Sequence, residues 1–168
     1  MMMYFFTATI NSWKHLLQED DFKDVIIDSL QWLNKEAKAY THGFVIMPNH
    51  IHILWTYGED EQYDPVQSLN SFTAHQFKKK LNSRPGILKE YTSTQSDREY
   101  QFWERRSKSI PIINRAIAEQ KLNYIHNNPL QEKWELASLP ELYRYSSAGY
   151  YLLNTSEFGF LRHYMDFI

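Results

Sequence analysis

One run of twelve residues, Phe44 to Trp55 (FVIMPNHIHILW), restricts the fold more than any other stretch of the chain. It is apolar except for a Pro-Asn break and two histidines. Pro48 cannot donate to a strand ladder, and with Asn49 it marks a turn. The run therefore predicts two strands, 44–48 and 50–55, or one bent hairpin at the centre of a sheet. Residues i and i+2 of a strand share a face and lie ~6.6 Å apart along it. His50 and His52 thus stand side by side, while Ile51 between them points to the other face.

The surrounding sequence supplies the other elements. Residues 4–10 (YFFTATI) are β-branched and aromatic and predict a first strand. Phe22, Ile26, Leu30 and Leu33 recur at helical spacing and predict an amphipathic helix over about 20–39. After a polar loop (YGEDEQYD), Asp64-Pro65 opens a second helix with Val66, Leu69, Phe72, Phe77 and Leu81 as its apolar side. Residues 82–100 contain Pro-Gly and a polar stretch and read as a long loop. QFWERR (101–106) reads as a further strand, and 109–128 as a third helix stopped by Pro129. The tyrosine-rich tail ELYRYSSAGYYLL reads as a short helix or a strap on the sheet. Strand–helix–strand–strand–helix–strand is the ferredoxin-like split βαβ order, so the expected fold class is α+β. The sheet should be antiparallel with helices on one face, followed by an extra C-terminal helix.

The 168 residues suit one domain, with a core over about 4–129 and a C-terminal extension over 130–168. No segment approaches the ~20 apolar residues that span a bilayer, so no membrane partner is expected. The apolar start MMMYFFTATI lacks a basic region and a cleavage site, so it reads as a strand and the expected compartment is the cytoplasm. With no cysteine, disulfides and thiolate metal sites are excluded. The net charge of −2 is uneven: between Lys78 and Lys108 there are nine basic and four acidic residues, a local +5 against −7 elsewhere. A chain polarised in this way can hold a polyanion on one side, though a solvated helix end and polar loop would give the same count.

Two constellations carry chemistry. Imidazole is a common ligand for divalent ions, and a strand-borne pair at 50 and 52 is preorganised for one. Two histidines on a solvated face would look the same. On the third helix, Tyr124 and Asn128 are i and i+4 and share a face, set apart from the apolar stripe of Ala118, Leu122 and Ile125. A tyrosine near positive charge can act as a nucleophile, or it can simply pack on the sheet with its hydroxyl satisfied.

Taken together and in order, MPNHIHILW, FWERRSKSI, YIHNNP and YRYSSAGYY strongly resemble the HUH single-strand transposases with one catalytic tyrosine, particularly the REP-associated tyrosine transposases. The resemblance covers roughly 4–151. It implies that His50 and His52 hold Mg²⁺ or Mn²⁺, with Asn128 as third ligand. It also implies that Tyr124 attacks a DNA phosphodiester to leave a free 3′-OH and a 5′-phosphotyrosyl link. The expected partner is single-stranded or hairpin DNA. Lys78, Lys79, Lys80, Arg84, Arg105, Arg106 and Lys108 are the candidates for its backbone, and Trp103 and the C-terminal tyrosines for stacking on its bases. Enzymes of this kind act as monomers or homodimers. The expected function is metal-dependent single-strand cleavage and strand transfer. The alternatives are a non-cutting DNA-binding protein of the same fold and a metal-dependent hydrolase that uses water.

Overall fold

Four strands, β1 (Met3–Thr9), β2 (Ala39–Ile46), β3 (His50–Tyr57) and β4 (Lys108–Ile112), pair throughout in antiparallel fashion, in the order β2-β3-β1-β4. The computed structural model describes all 168 residues. Helix α1 (Asp20–Lys35) carries the chain from β1 to β2, and β3 inserts between these two strands. Helix α2 (Pro65–Leu81) carries it from β3 towards β4 at the other edge. This is the split βαβ arrangement that the sequence predicts.

The period-two alternation divides the sheet's side chains into two cores. Phe6, Ala8, Phe44, Ile46, Ile51, Ile53 and Trp55 pack with Phe22, Ile26, Leu30 and Leu33 of α1 and Leu69, Phe77 and Leu81 of α2. On the opposite face, Met3, Phe5, Val45 and Leu54 pack with Ala118, Leu122 and Ile125 of α4 (Arg115–Asn127). The expectation of helices on one face is therefore corrected. α1 and α2 cover one face, while α4 covers the other, the face that bears His50 and His52. β2 and β3 are buried along nearly their whole length, so the centre of the sheet is covered on both sides.

Several boundaries also move. α1 stops at Lys35, a left-handed Ala37 (φ 53°) turns the chain, and β2 starts at Ala39 rather than at Phe44. Residues 101–106 are not a strand; Trp103 makes only an isolated bridge to Ile10, and Phe102 and Trp103 both enter the α1/α2 core. The fourth strand is instead Lys108–Ile112, the start of the segment read as a third helix. Pro111 is tolerated there because β4 is an edge strand. The helix begins only at Arg115, where the Asn114 side chain accepts the Ile117 N–H at 3.0 Å. Within 82–100, α3 (Pro85–Lys89) interrupts the expected loop, and Leu88 and Tyr91 anchor this region to the core.

The tail is a strap with a short helix, α5 (Ala148–Leu152). Tyr143 Oη donates to Ile46 O at 2.6 Å, Tyr151 Oη to His42 O at 2.8 Å, and Tyr145 Oη to Asp24 at 2.8 Å. No helix is long and apolar enough to cross a membrane.

Candidate active site

β3 pairs His50 with Thr9 and His52 with Thr7 on β1, so the histidines lie near the middle of the sheet, on the face covered by α4. Their ring centroids are 4.9 Å apart. The two neighbours have different second contacts. His52 is buried, with Nδ1 2.8 Å from Thr7 Oγ1 and its ring stacked on Phe5 at 5.3 Å. His50 donates from Nδ1 to Asn49 Oδ1 at 2.7 Å, and Asn49 Nδ2 in turn donates to Trp13 O at 3.4 Å. Both His50 nitrogens thus face oxygens, with Nε2 3.1 Å from Asn128 Oδ1; assigning the single N–H of the neutral ring to the shorter contact leaves the lone pair on Nε2.

Burial lowers the pKa of His50 from 6.5 to about 4 and that of His52 to about 3. For His52 the neighbouring His50 and Lys121 act in the same direction. Both rings are thus neutral at pH 7, the state in which imidazole offers a lone pair to a cation.

α4 brings the tyrosine to the same place. Ala118, Leu122 and Ile125 anchor the helix to the sheet, and Tyr124, 47% exposed, projects off that apolar stripe. Its ring meets His52 edge-on at 5.1 Å and Phe5 at 6.1 Å. One turn earlier, Lys121 Nζ sits 4.7 Å above the Phe5 ring. Asn128 follows directly after the helix and is buried. The structure therefore brings together all four residues His50, His52, Tyr124 and Asn128. No third His, Asp or Glu makes a three-residue cluster with the histidines, and the further donor beside them is the Asn128 amide.

These groups open into a cleft of about 850 Å³. Arg105, Arg106, Lys108 and Lys133 line it, with Glu104 as its one acidic residue. Arg105 is paired with Asp97 at 2.6 Å, and the other three cations make no ion pair. The basic residues at 105, 106 and 108 thus reach the cleft, whereas Lys78, Lys79, Lys80 and Arg84 do not line it. Lys78 lies 3.7 Å from Glu99, and Arg84 pairs with Glu19 at 2.8 Å. Trp103 corrects an expectation, because it is a core residue that donates from Nε1 to Thr73 Oγ1 at 2.9 Å and offers no face to a base. The C-terminal tyrosines 143, 145 and 151 are likewise tied down through their hydroxyls.

Sequence reasoning missed Thr7, Asn49, Lys121, Lys133, Trp13 and Trp134. Asn49 carried a local signal, since it stands directly before His50. Lys121 stands one turn before Tyr124 on α4, while Thr7, Trp13, Lys133 and Trp134 come from segments that only the packing brings to the histidines.

No family model matches the chain, and no curated protein matches its sequence. Among solved structures, it is similar to a REP-associated tyrosine transposase solved bound to a REP hairpin. That likeness has a TM-score of 0.63 at 17% identity and covers 88% of this chain and 76% of the other. A candidate transposase from Deinococcus radiodurans R1 aligns with a TM-score of 0.45 at 17% identity, over 74% of this chain and 88% of the other. The first of these shows that the two proteins share a fold.

Proposed function

We propose that this protein is a single-strand DNA endonuclease and strand transferase that acts through a covalent link to Tyr124. The observation that carries this reading is the exposed Tyr124 phenol beside the His50–His52 pair in a cleft lined by cations. The fold shared with a hairpin-bound tyrosine transposase supports it.

In the reaction, Tyr124 Oη forms a bond to phosphorus and the P–O3′ bond breaks. The phenol loses its proton and the departing 3′ oxygen gains one, leaving a free 3′-OH and a 5′-phosphotyrosyl link. The number of phosphoester bonds is unchanged, so a 3′-OH can reverse the step and rejoin DNA without a nucleotide cofactor. Arg105, Arg106, Lys108 and Lys133 hold the phosphate backbone, and Phe5 and His52, edge-on to the Tyr124 ring, limit its direction.

Two imidazole nitrogens and one amide oxygen make a borderline donor set that can take a divalent ion whose remaining positions are filled by water or phosphate oxygens. His50 Nε2, His52 Nε2 and Asn128 Oδ1 are the residues that would hold Mg²⁺ or Mn²⁺. With the ring N–H on Nδ1 towards Asn49, the His50 lone pair would face the Asn128 oxygen, and a cation held there would satisfy both. Bound there, such an ion would polarise a non-bridging phosphate oxygen and align the phosphodiester.

The test is incubation of the protein with hairpin-bearing single-stranded oligonucleotides and Mg²⁺ or Mn²⁺, followed by a denaturing gel. A protein–DNA adduct is expected for the wild type and should be lost in Tyr124→Phe and in His50→Ala. Binding without any cleavage would instead identify a DNA-binding protein. Cleavage that survives Tyr124→Phe would indicate a water nucleophile and overturn the proposal.

A further inference from the structure

Trp13 is 67% exposed and lines the same cleft as His50, His52 and Tyr124. An indole is the largest apolar side chain, and leaving it in water forfeits the stabilisation that burial gives. Trp55 and Trp103 are both buried, so this chain does bury tryptophan where the fold allows. At Trp13 the backbone works to keep the ring out. Ser12 and Trp13 both adopt left-handed conformations, with φ of 57° and 58°. For two successive residues with side chains this is a strained conformation. It persists only where the surroundings determine it, and here they do. Trp13 N donates to Ile10 O at 2.9 Å and Asn11 N to Phe102 O at 2.7 Å. Ser12 N donates to the Glu104 carboxylate at 2.8 Å, and Trp13 O accepts from Asn49 Nδ2.

That last contact ties the presented ring to the chemistry. Asn49 holds the Trp13 carbonyl with its amide nitrogen and the His50 imidazole with its oxygen. The backbone that presents the indole is thereby tied to the histidine pair. Cations line the cleft beside it, Arg106, Lys108 and Lys133 among them, and an exposed aromatic face beside such cations suits an unpaired base.

We propose that Trp13 is a stacking platform for an unpaired nucleobase of the bound strand, next to the phosphodiester that Tyr124 faces. The inference rests on the single-strand reading given above, but it concerns binding and does not need cleavage. A duplex keeps its bases stacked on one another, so Trp13 favours single-stranded segments and does not depend on base identity.

The experiment measures fluorescence anisotropy of a labelled hairpin oligonucleotide with a single-stranded flank, in buffer with chelator so that no cutting intervenes. Its companion carries abasic sites through the flank. Stacking one base on an aromatic ring is worth roughly five- to hundredfold in affinity. Trp13→Ala should therefore weaken binding of the intact flank by roughly tenfold or more, while Trp13→Phe retains most of it. Trp32→Ala, which removes an exposed indole elsewhere, should leave it unchanged. Abasic substitution should weaken the wild type and have little further effect on Trp13→Ala. Equal affinity of Trp13→Ala and wild type, or equal sensitivity of the two to abasic sites, overturns the inference. If Trp13→Ala behaves as wild type while the wild type still forms the Tyr124 adduct, only this inference fails. If the wild type binds through Trp13 but forms no adduct, only the cleavage reading fails.

Discussion

Both ring nitrogens of His50 face side-chain oxygens, from Asn49 at 2.7 Å and from Asn128 at 3.1 Å. Asn49 sets the tautomer and ring plane, and so decides which nitrogen is presented to a ligand. Loss of such a supporting contact typically costs 10- to 100-fold in metal affinity. Asn49→Ala should accordingly raise the Mg²⁺ concentration required for adduct formation by roughly that factor. An unchanged Mg²⁺ requirement in a titration would show that Asn49 does not orient His50. At this scale much of the site was legible. The period of a strand put His50 beside His52 and that of a helix put Tyr124 on the face of Asn128, but it was the resemblance to the transposase family that singled them out as one site. The register that sets Thr7 against His52 was not legible, because pairing partners far apart in sequence leave no local signal. Trp103 was misjudged because an aromatic among basic residues looks the same whether it is exposed or buried.

α4 carries Tyr124, and Gly43 on β2 determines how closely the helix approaches the sheet. A Cβ at Gly43 would overlap the Leu122 side chain and lie 3.3 Å from Ser147 Oγ. The strand shifts register at this point, between Thr41 and Gly43. Ser147 adds a second tie, accepting the Phe44 N–H at 3.0 Å and lying 2.9 Å from His126 Nε2 of α4. Gly43→Ala should destabilise the fold by about 1–3 kcal/mol, as overpacking does. It should also slow adduct formation by moving Tyr124 relative to His52. Gly43→Ala combined with Leu122→Ala should cost less than the sum of the two changes, as read by denaturant unfolding. Strict additivity would show that the helix does not rest on this glycine. The elements with strong periodicity, α1, α2 and the β2–β3 hairpin, were evident from sequence. β4 was not: a five-residue edge strand containing Pro111 and starting with a lysine carries almost no strand signature. It forms because β1 offers it a partner.

Across the whole molecule, charge and protonation are distributed unevenly. The cleft collects cations although the chain is net acidic, and four histidines are held neutral by burial. His42, His50 and His126 are lowered to about 4, and His52 to about 3. His42 is fully buried and sits between Arg162 O and Thr56 Oγ1. The unfolded chain takes up these protons near pH 6.5, whereas the folded chain resists until about pH 4. Stability is therefore full above pH 7 and falls as the pH drops through this window. At ~1.4 kcal/mol per pH unit, His42 alone accounts for about 3 kcal/mol between pH 7 and 4. Urea midpoints in chelator should decline steadily from pH 7 to 5, above the range where most carboxylates titrate. A midpoint independent of pH over that interval would contradict this placement of the histidines.

The central claim is that Tyr124 is the nucleophile and that it retains the 5′ end of the cut strand. Mass spectrometry of proteolytic peptides from the trapped adduct tests this most directly. The nucleotide mass should lie on the peptide containing Tyr124, joined through a 5′ phosphate, with an unmodified 3′-OH on the released fragment. A nucleotide mass on any other residue, or a link through a 3′ phosphate, would contradict it.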